Sequence, residues 1–143
     1  SGLYAIRLSL KNPDDHVVLP EIISKEPLGP AVRQGDDQWF DLVKWTLNAM
    51  IIAEEDGITQ ANVDEMKNSD KPEIRRVLGQ EKGSKYGADL GLSEDWVANI
   101  VKAVGNYGES FERNLGQGSP LKIKRGLNQL WNKGGIMYAP PIR

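Results

Sequence analysis

Apolar side chains recur at helical spacing in the middle of the chain, and the pattern is clearest between residues 37 and 56. One face of this segment carries Trp39, Leu42, Val43, Thr46, Leu47 and Met50, and Phe40, Ile51 and Ala53 widen it. Asp36 precedes the segment at the N-cap position and Gly57 follows it at the C′ position, where helices favour these residue types. The pattern predicts a helix over residues 37–56, about 30 Å long, with Trp39 in the core.

Helical patterns also continue beyond residue 57, and each begins with a residue type typical of helix starts. The predicted starts are Thr59 (for a short helix through Met66), Pro72, Ser93 and the pair Ser119–Pro120. A further helix is predicted over residues 109–115. Residues 80–91 are rich in glycine, lysine and polar side chains, which indicates a loop. The sequence therefore predicts a mainly helical chain after residue 36.

The first 35 residues have short extended patterns in place of long helices. Residues 1–12 fit a helical stripe and a strand alternation equally well. Residues 16–20 form a β-branched run that ends at a proline, and residues 22–23 and 31–33 are further short extended segments. Because two or three short strands make a poor sheet by themselves, this region is either an irregular part of a helical domain or the edge of a sheet whose other strands are missing.

The composition excludes several classes of protein. The 143 residues fit one domain, and 39% hydrophobic with 27% charged residues is ordinary for a folded chain. Cysteine is absent, which excludes disulfides and thiolate metal sites. A net charge of -2 gives no electrostatic reason to bind nucleic acid, and no apolar run reaches the roughly 20 residues that cross a bilayer. No signal-peptide pattern is visible, and a mature, cleaved or truncated chain would look the same.

The polar residues form no recognisable catalytic motif. Acidic residues cluster where capping and solvation explain them, at Asp14–Asp15, Asp36–Asp37 and Glu54–Asp56. His16 is the single histidine, and no serine or thiol nucleophile motif accompanies it. Lys122, Lys124 and Arg125 form a small basic patch that we expect to be solvated. We therefore expect a protein that is not an enzyme and that uses no metal or cofactor.

Three segments together carry a family pattern. Residues 25–29 read Lys-Glu-Pro-Leu-Gly and form a connector, and residues 33–36 end a short extended segment as Arg-Gln-Gly-Asp, before the long helix that ends at Asp56–Gly57. The tail runs from Ser93 through Trp-Asn-Lys-Gly-Gly at 131–135 to Tyr-Ala-Pro-Pro-Ile-Arg at 138–143. This combination resembles the type 2 periplasmic solute-binding proteins of the polar amino-acid class, in particular the general L-amino-acid receptors of bacterial ABC uptake systems.

The resemblance implies an α/β parent fold, of which this chain is the C-terminal part. Residues 1–24 would be the end of the second lobe, residues 25–35 the hinge and crossover, and residues 36–143 the helical C-terminal part of the first lobe with a family-specific tail. The hinge residues would be Lys25, Glu26, Pro27, Leu28 and Gly29. The short strands would then belong to sheets that the rest of the protein completes.

The resemblance also implies a function. The parent would be a periplasmic receptor that binds L-amino acids by hinged closure of its two lobes and delivers them to the permease subunits of an ABC transporter. The groups that hold the amino acid would lie upstream of this chain, with Ser1 as an edge candidate for ligand binding. The exposed strand edges within residues 17–23 would pair or swap with another copy or with the missing N-terminal part.

Two other interpretations stay open. The chain could be a helical protein–protein interaction module that uses Trp45, which lies off the apolar stripe, together with the tail. A closed helical core around residues 36–143 would favour that interpretation. A small hydrolase that uses His16 is the third alternative.

Overall fold

The computed structural model describes residues 2–143, and its regular elements over that range are helices. The α-helices are α1 (Gly2–Leu8), α2 (Asp37–Glu55), α3 (Val63–Met66), α4 (Pro72–Val77), α5 (Trp96–Val104) and α6 (Tyr107–Asn114). Short 3₁₀ helices lie at Pro13–Asp15, Ala88–Leu90, Gly126–Asn128 and Trp131–Lys133. No helix in the described range is both long enough and apolar enough to cross a membrane.

The long helix α2 forms where the sequence predicts it. The side chain of Asp36 caps its first turn, because Oδ1 accepts a hydrogen bond from the backbone N–H of Trp39 at 3.1 Å. Asp56 is the C-cap, and Gly57 follows with φ +69°, a left-handed conformation that glycine adopts without steric cost. Both ends are therefore set by local chemistry, and the prediction for residues 37–56 is confirmed to within one residue.

The hydrophobic core lies on the second half of α2, which packs against α5 and α6. Its members come from α2, the turn after it, α3, α4, α5 and the tail: Ala49, Ile51, Ile52, Ala53, Ile58, Val63, Ile74, Val77, Leu78, Trp96, Val97, Ala98, Val101, Leu130, Ala139 and Ile142. The C-terminal tail thus reaches back to cover the core. Residues 49–142 contain a contiguous core of their own.

The predicted strands near the N-terminus are absent. Residues 16–20, 22–23 and 31–33 have no β-strand hydrogen bonding, and the described chain holds only an isolated parallel bridge between Leu130 and Met137. None of residues 2–36 is buried. A strand needs a second strand to pair its backbone groups, and no other segment described here supplies one. The ambiguous segment at the very start forms α1.

Two later helix predictions also need correction. Ser119–Pro120 does not begin a helix, because Lys122 adopts φ +53° and the chain continues as turns and two 3₁₀ helices. Ser93 is not the cap of α5, which has Asp95 at its N-cap; Ser93 Oγ instead donates to Asp95 Oδ1 at 2.6 Å. Pro72 does begin α4, as predicted.

Candidate functional site

An open apolar groove with a volume of about 700 Å³ lies between α2 and α5. The residues that line it include Pro30, Trp39, Val43, Met50, Leu92, Trp96 and Ile100. We call this surface the α2–α5 groove. Its lining is almost entirely apolar, so it offers no paired charges for a zwitterionic amino acid.

The α2–α5 groove is lined by the apolar stripe that the sequence analysis assigned to the core. Trp39 is 53% exposed, so its placement in the core is wrong. The α2 residues that are buried in the core are Ala49, Ile51, Ile52 and Ala53. The helix therefore has two apolar faces, and this chain covers only one of them. A helix with two apolar faces normally has both of them buried.

Trp45 shows the reverse of Trp39, because it is more buried than its position off the apolar stripe suggested. The sequence analysis assigned it to an interface, but it is partly buried and packs against the core. The interaction-module interpretation therefore loses its main anchor. Trp131 remains exposed, with its ring packed edge-on against Tyr138 at a centroid distance of 6.1 Å.

A buried ion pair fastens the tail to the C-terminal half of α2. Arg125 Nη1 donates to Glu54 Oε1 at 2.8 Å and Nη2 to Oε2 at 3.0 Å, and the two side chains are 8% and 10% exposed. Nε and Nη2 of the same guanidinium also donate to the carbonyl of Asn128, at 3.1 and 2.7 Å. The rings of Tyr107 and Phe111 each lie 5.3 Å from the guanidinium carbon. The predicted solvation of Arg125 is therefore wrong. No local pattern reveals this pair, because its partners are 71 residues apart.

The end of α2 concentrates negative charge. Glu55 accepts a hydrogen bond from Trp131 Nε1 at 3.0 Å, which ties a second point of the tail to the helix. Burial, and then the neighbouring carboxylates of Glu55 and Glu73, raise the pKa of Asp56 from 3.8 to about 6, while Lys71 acts in the opposite direction. The negative end of the helix dipole also disfavours the charged carboxylate there.

The residues predicted for the hinge lie in an irregular segment. Residues 25–29 have no regular secondary structure and are exposed, with Leu28 at 83%, and the N–H of Leu28 donates to the carbonyl of Glu26 at 2.9 Å. His16 is also exposed, and its Nδ1 lies 2.9 Å from the carbonyl of Asn12. The ligand-binding candidate Ser1 lies outside the described residues. Among residues 2–143, no cluster of three or more histidine or acidic side chains could hold a metal ion.

The sequence of the chain is similar to those of known proteins. No family model matches the chain. The chain is 75% identical over 143 residues to the general L-amino acid-binding periplasmic protein AapJ of Rhizobium johnstonii. It is 60% identical to the putative amino-acid ABC transporter-binding protein YhdW of Escherichia coli, and 51% identical to the glutamate/glutamine/aspartate/asparagine-binding protein BztA of Rhodobacter capsulatus. The chain matches the C-terminal part of amino-acid ABC transporter periplasmic binding proteins.

The match covers all of this chain but only part of each relative. The chain spans 42% of the length of these curated relatives, so more than half of each relative lies upstream. A solved structure of an ABC transporter periplasmic binding protein from Brucella ovis with glutathione bound superimposes with a TM-score of 0.93 and is 67% identical, covering 99% of this chain and 44% of that one. The resemblance inferred from the connector and tail is therefore confirmed, and the relatives are named as binding proteins, in keeping with the prediction of a non-enzymatic role.

Proposed function

We propose that this chain is the C-terminal portion of a periplasmic receptor that binds L-amino acids or small amino-acid derivatives for an ABC transporter. The observation that carries the proposal is the match of the whole chain, at 75% identity, to part of a general L-amino acid-binding protein. The glutathione bound to the Brucella ovis protein supports a ligand with amino-acid backbone groups. The permease subunits of the transporter would be the partner that receives the ligand.

The division of the described chain supports the domain assignment made from the resemblance. Residues 2–36 bury no side chain, as expected for segments whose contacts lie in the rest of the receptor. In this proposal residues 1–24 belong to the second lobe, residues 25–35 cross between lobes, and residues 36–143 form a helical layer of the first lobe. The irregular backbone at residues 25–29 suits a crossover, because Pro27 restricts bending to a few positions.

The mechanism in this proposal is closure of two lobes around the ligand. Ligand that contacts both lobes favours the closed state by the difference between its affinities for the closed and open states. The α2–α5 groove is too apolar to pair the ammonium and carboxylate of an amino acid. The residues that bind the ligand would therefore come mainly from the upstream part of the receptor.

Calorimetry on two proteins tests this function. The first is the chain of residues 1–143, and the second is a chimera in which the upstream part of the Rhizobium johnstonii relative precedes residue 1. Titration with glutamate, glutamine, histidine and glutathione should show binding by the chimera near micromolar, about -8 kcal/mol, and none at millimolar ligand by the chain alone. Tight binding by residues 1–143 alone would refute the upstream location of the site, and no binding by the chimera would refute the function.

A further inference from the structure

We propose that the α2–α5 groove is a docking surface strong enough to hold the upstream part of the receptor without a covalent link, so that a receptor cut before residue 1 stays assembled. The proposal rests on the proposed function, because its occupant is the polypeptide that precedes this region in the relatives. The proposal goes beyond that function because it states that the interface between the upstream part and residues 1–143 holds the two together by itself.

The groove is formed by elements that share a hydrophobic core within this chain. The core holds α2 from its buried face through Ala49, Ile52 and Ala53, which are 0%, 7% and 0% exposed. The pairing of Glu54 with Arg125 fastens the tail across the C-terminal half of the same helix. A surface that is already ordered loses little conformational freedom on binding. The docking face is thus available before the partner arrives.

The groove also has the chemistry of an interface that is buried in the complete protein. Two of the side chains that line the groove are exposed: Trp39, in the first turn of α2, at 53%, and Leu92, before α5, at 38%. A contiguous apolar depression of about 700 Å³ with an exposed tryptophan in its lining is unusual for a surface that stays in water. Burial of aromatic anchors in such a depression is typical of the residues that dominate binding energy.

The occupant is the upstream polypeptide and not a second copy of this chain. More than half of each relative lies upstream of the matching region, so a large partner exists in the same protein. A symmetric dimer through this face would place one concave groove against another and leave both unfilled. Pro30, from the crossover segment, also lines the groove, so the face adjoins the segment that passes toward the other lobe in the proposed function.

The test uses the chimera described above, with a protease recognition site inserted immediately before residue 1. Ligand binding by the uncut chimera measures the proposed function. Cleavage followed by native size-exclusion chromatography then measures the docking surface. We expect the two pieces to elute together and to retain the ligand affinity of the uncut protein within about threefold. A chimera that binds ligand but separates into two pieces on cleavage would overturn this inference and leave the proposed function intact.

Variants locate the interface. Val43→Asp places a charge in the groove, and Trp39→Ser removes an anchor from its lining. Each should weaken the association of the cut pieces by at least about tenfold, because an apolar interface penalises a buried charge or a lost aromatic side chain. Leu127→Asp, on an exposed tail side chain outside the groove, is the matched control and should change the association by less than about twofold.

The association measured for the variants decides whether the α2–α5 groove is the docking surface. Circular dichroism of residues 1–143 checks that every variant keeps its helical content. If both groove variants fold and stay assembled as firmly as the control, the groove is not the docking surface. Formation of a homodimer by residues 1–143 that Val43→Asp abolishes and the upstream piece does not displace would assign the groove to a second copy and overturn the proposal.

Discussion

Loss of the Glu54 carboxylate should destabilise the chain far more than loss of a surface charge. Glu54→Leu leaves a charged guanidinium at Arg125, a side chain that is 8% exposed in the intact pair, with the carbonyl of Asn128 as its remaining hydrogen-bond acceptor. Removal of one partner of a buried ion pair costs about 3–5 kcal/mol. With a urea dependence of about 2 kcal/mol per molar, a loss of about 4 kcal/mol lowers the unfolding midpoint by about 2 M. Equilibrium unfolding of residues 1–143, followed by circular dichroism, measures the change.

The double variant Glu54→Leu with Arg125→Met separates the ion pair from simple packing. It removes both charges, so no buried charge is left without a partner, and its cost should be smaller than the sum of the two single costs. Asp41→Asn is the matched surface control. It removes the 3.3 Å pair with Lys44, whose two side chains are 45% and 51% exposed, and should change stability by about 0–1 kcal/mol. A cost for Glu54→Leu that is as small as this control, or strict additivity in the double variant, would refute the reasoning.

Alanine is normally a better helix former than glycine, but Gly108→Ala should destabilise the protein by about 1–3 kcal/mol. The reason is that the new Cβ would lie 2.9 Å from Glu54 Cδ and 3.0 Å from Arg125 Nη1. Thermal unfolding measures this; Gly29→Ala, which has no atom within 4 Å of the new Cβ, should change little, and a higher melting temperature for Gly108→Ala would contradict the packing described. The raised pKa of Asp56, about 6 when folded against 3.8, means that the folded state binds the proton more tightly than the unfolded state. The contribution of Asp56 to stability should therefore fall as pH rises from about 4 to about 6, and Asp56→Asn should gain about 1 kcal/mol at pH 7, after allowance for its partial exposure, and nothing near pH 4. Unfolding free energies of both proteins between pH 4 and pH 8 test this, and a gain that does not vary with pH would exclude Asp56 as its source.

The sequence by itself determined the elements whose causes are local. The bounds of α2 follow from the capping side chain of Asp36 and the left-handed Gly57, and Pro72 marks the start of α4. Each of these depends on contacts within one turn of the chain. The connector at residues 25–29 and the tail were also sufficient to indicate the receptor family, since they are runs of particular residues that need no tertiary structure to be recognised.

The tertiary structure decided every feature that depends on a distant partner. The pattern of α2 shows that the helix is apolar on most sides, but only packing against α5 and α6 determines that Ala49 and Ile52 enter the core while Trp39 faces an open groove. Arg125 has no local mark of burial, because the carboxylate that makes burial tolerable lies 71 residues away. Residues 16–33 form no strand because a strand exists only with a second segment to pair with, and within residues 2–143 the fold brings none to them.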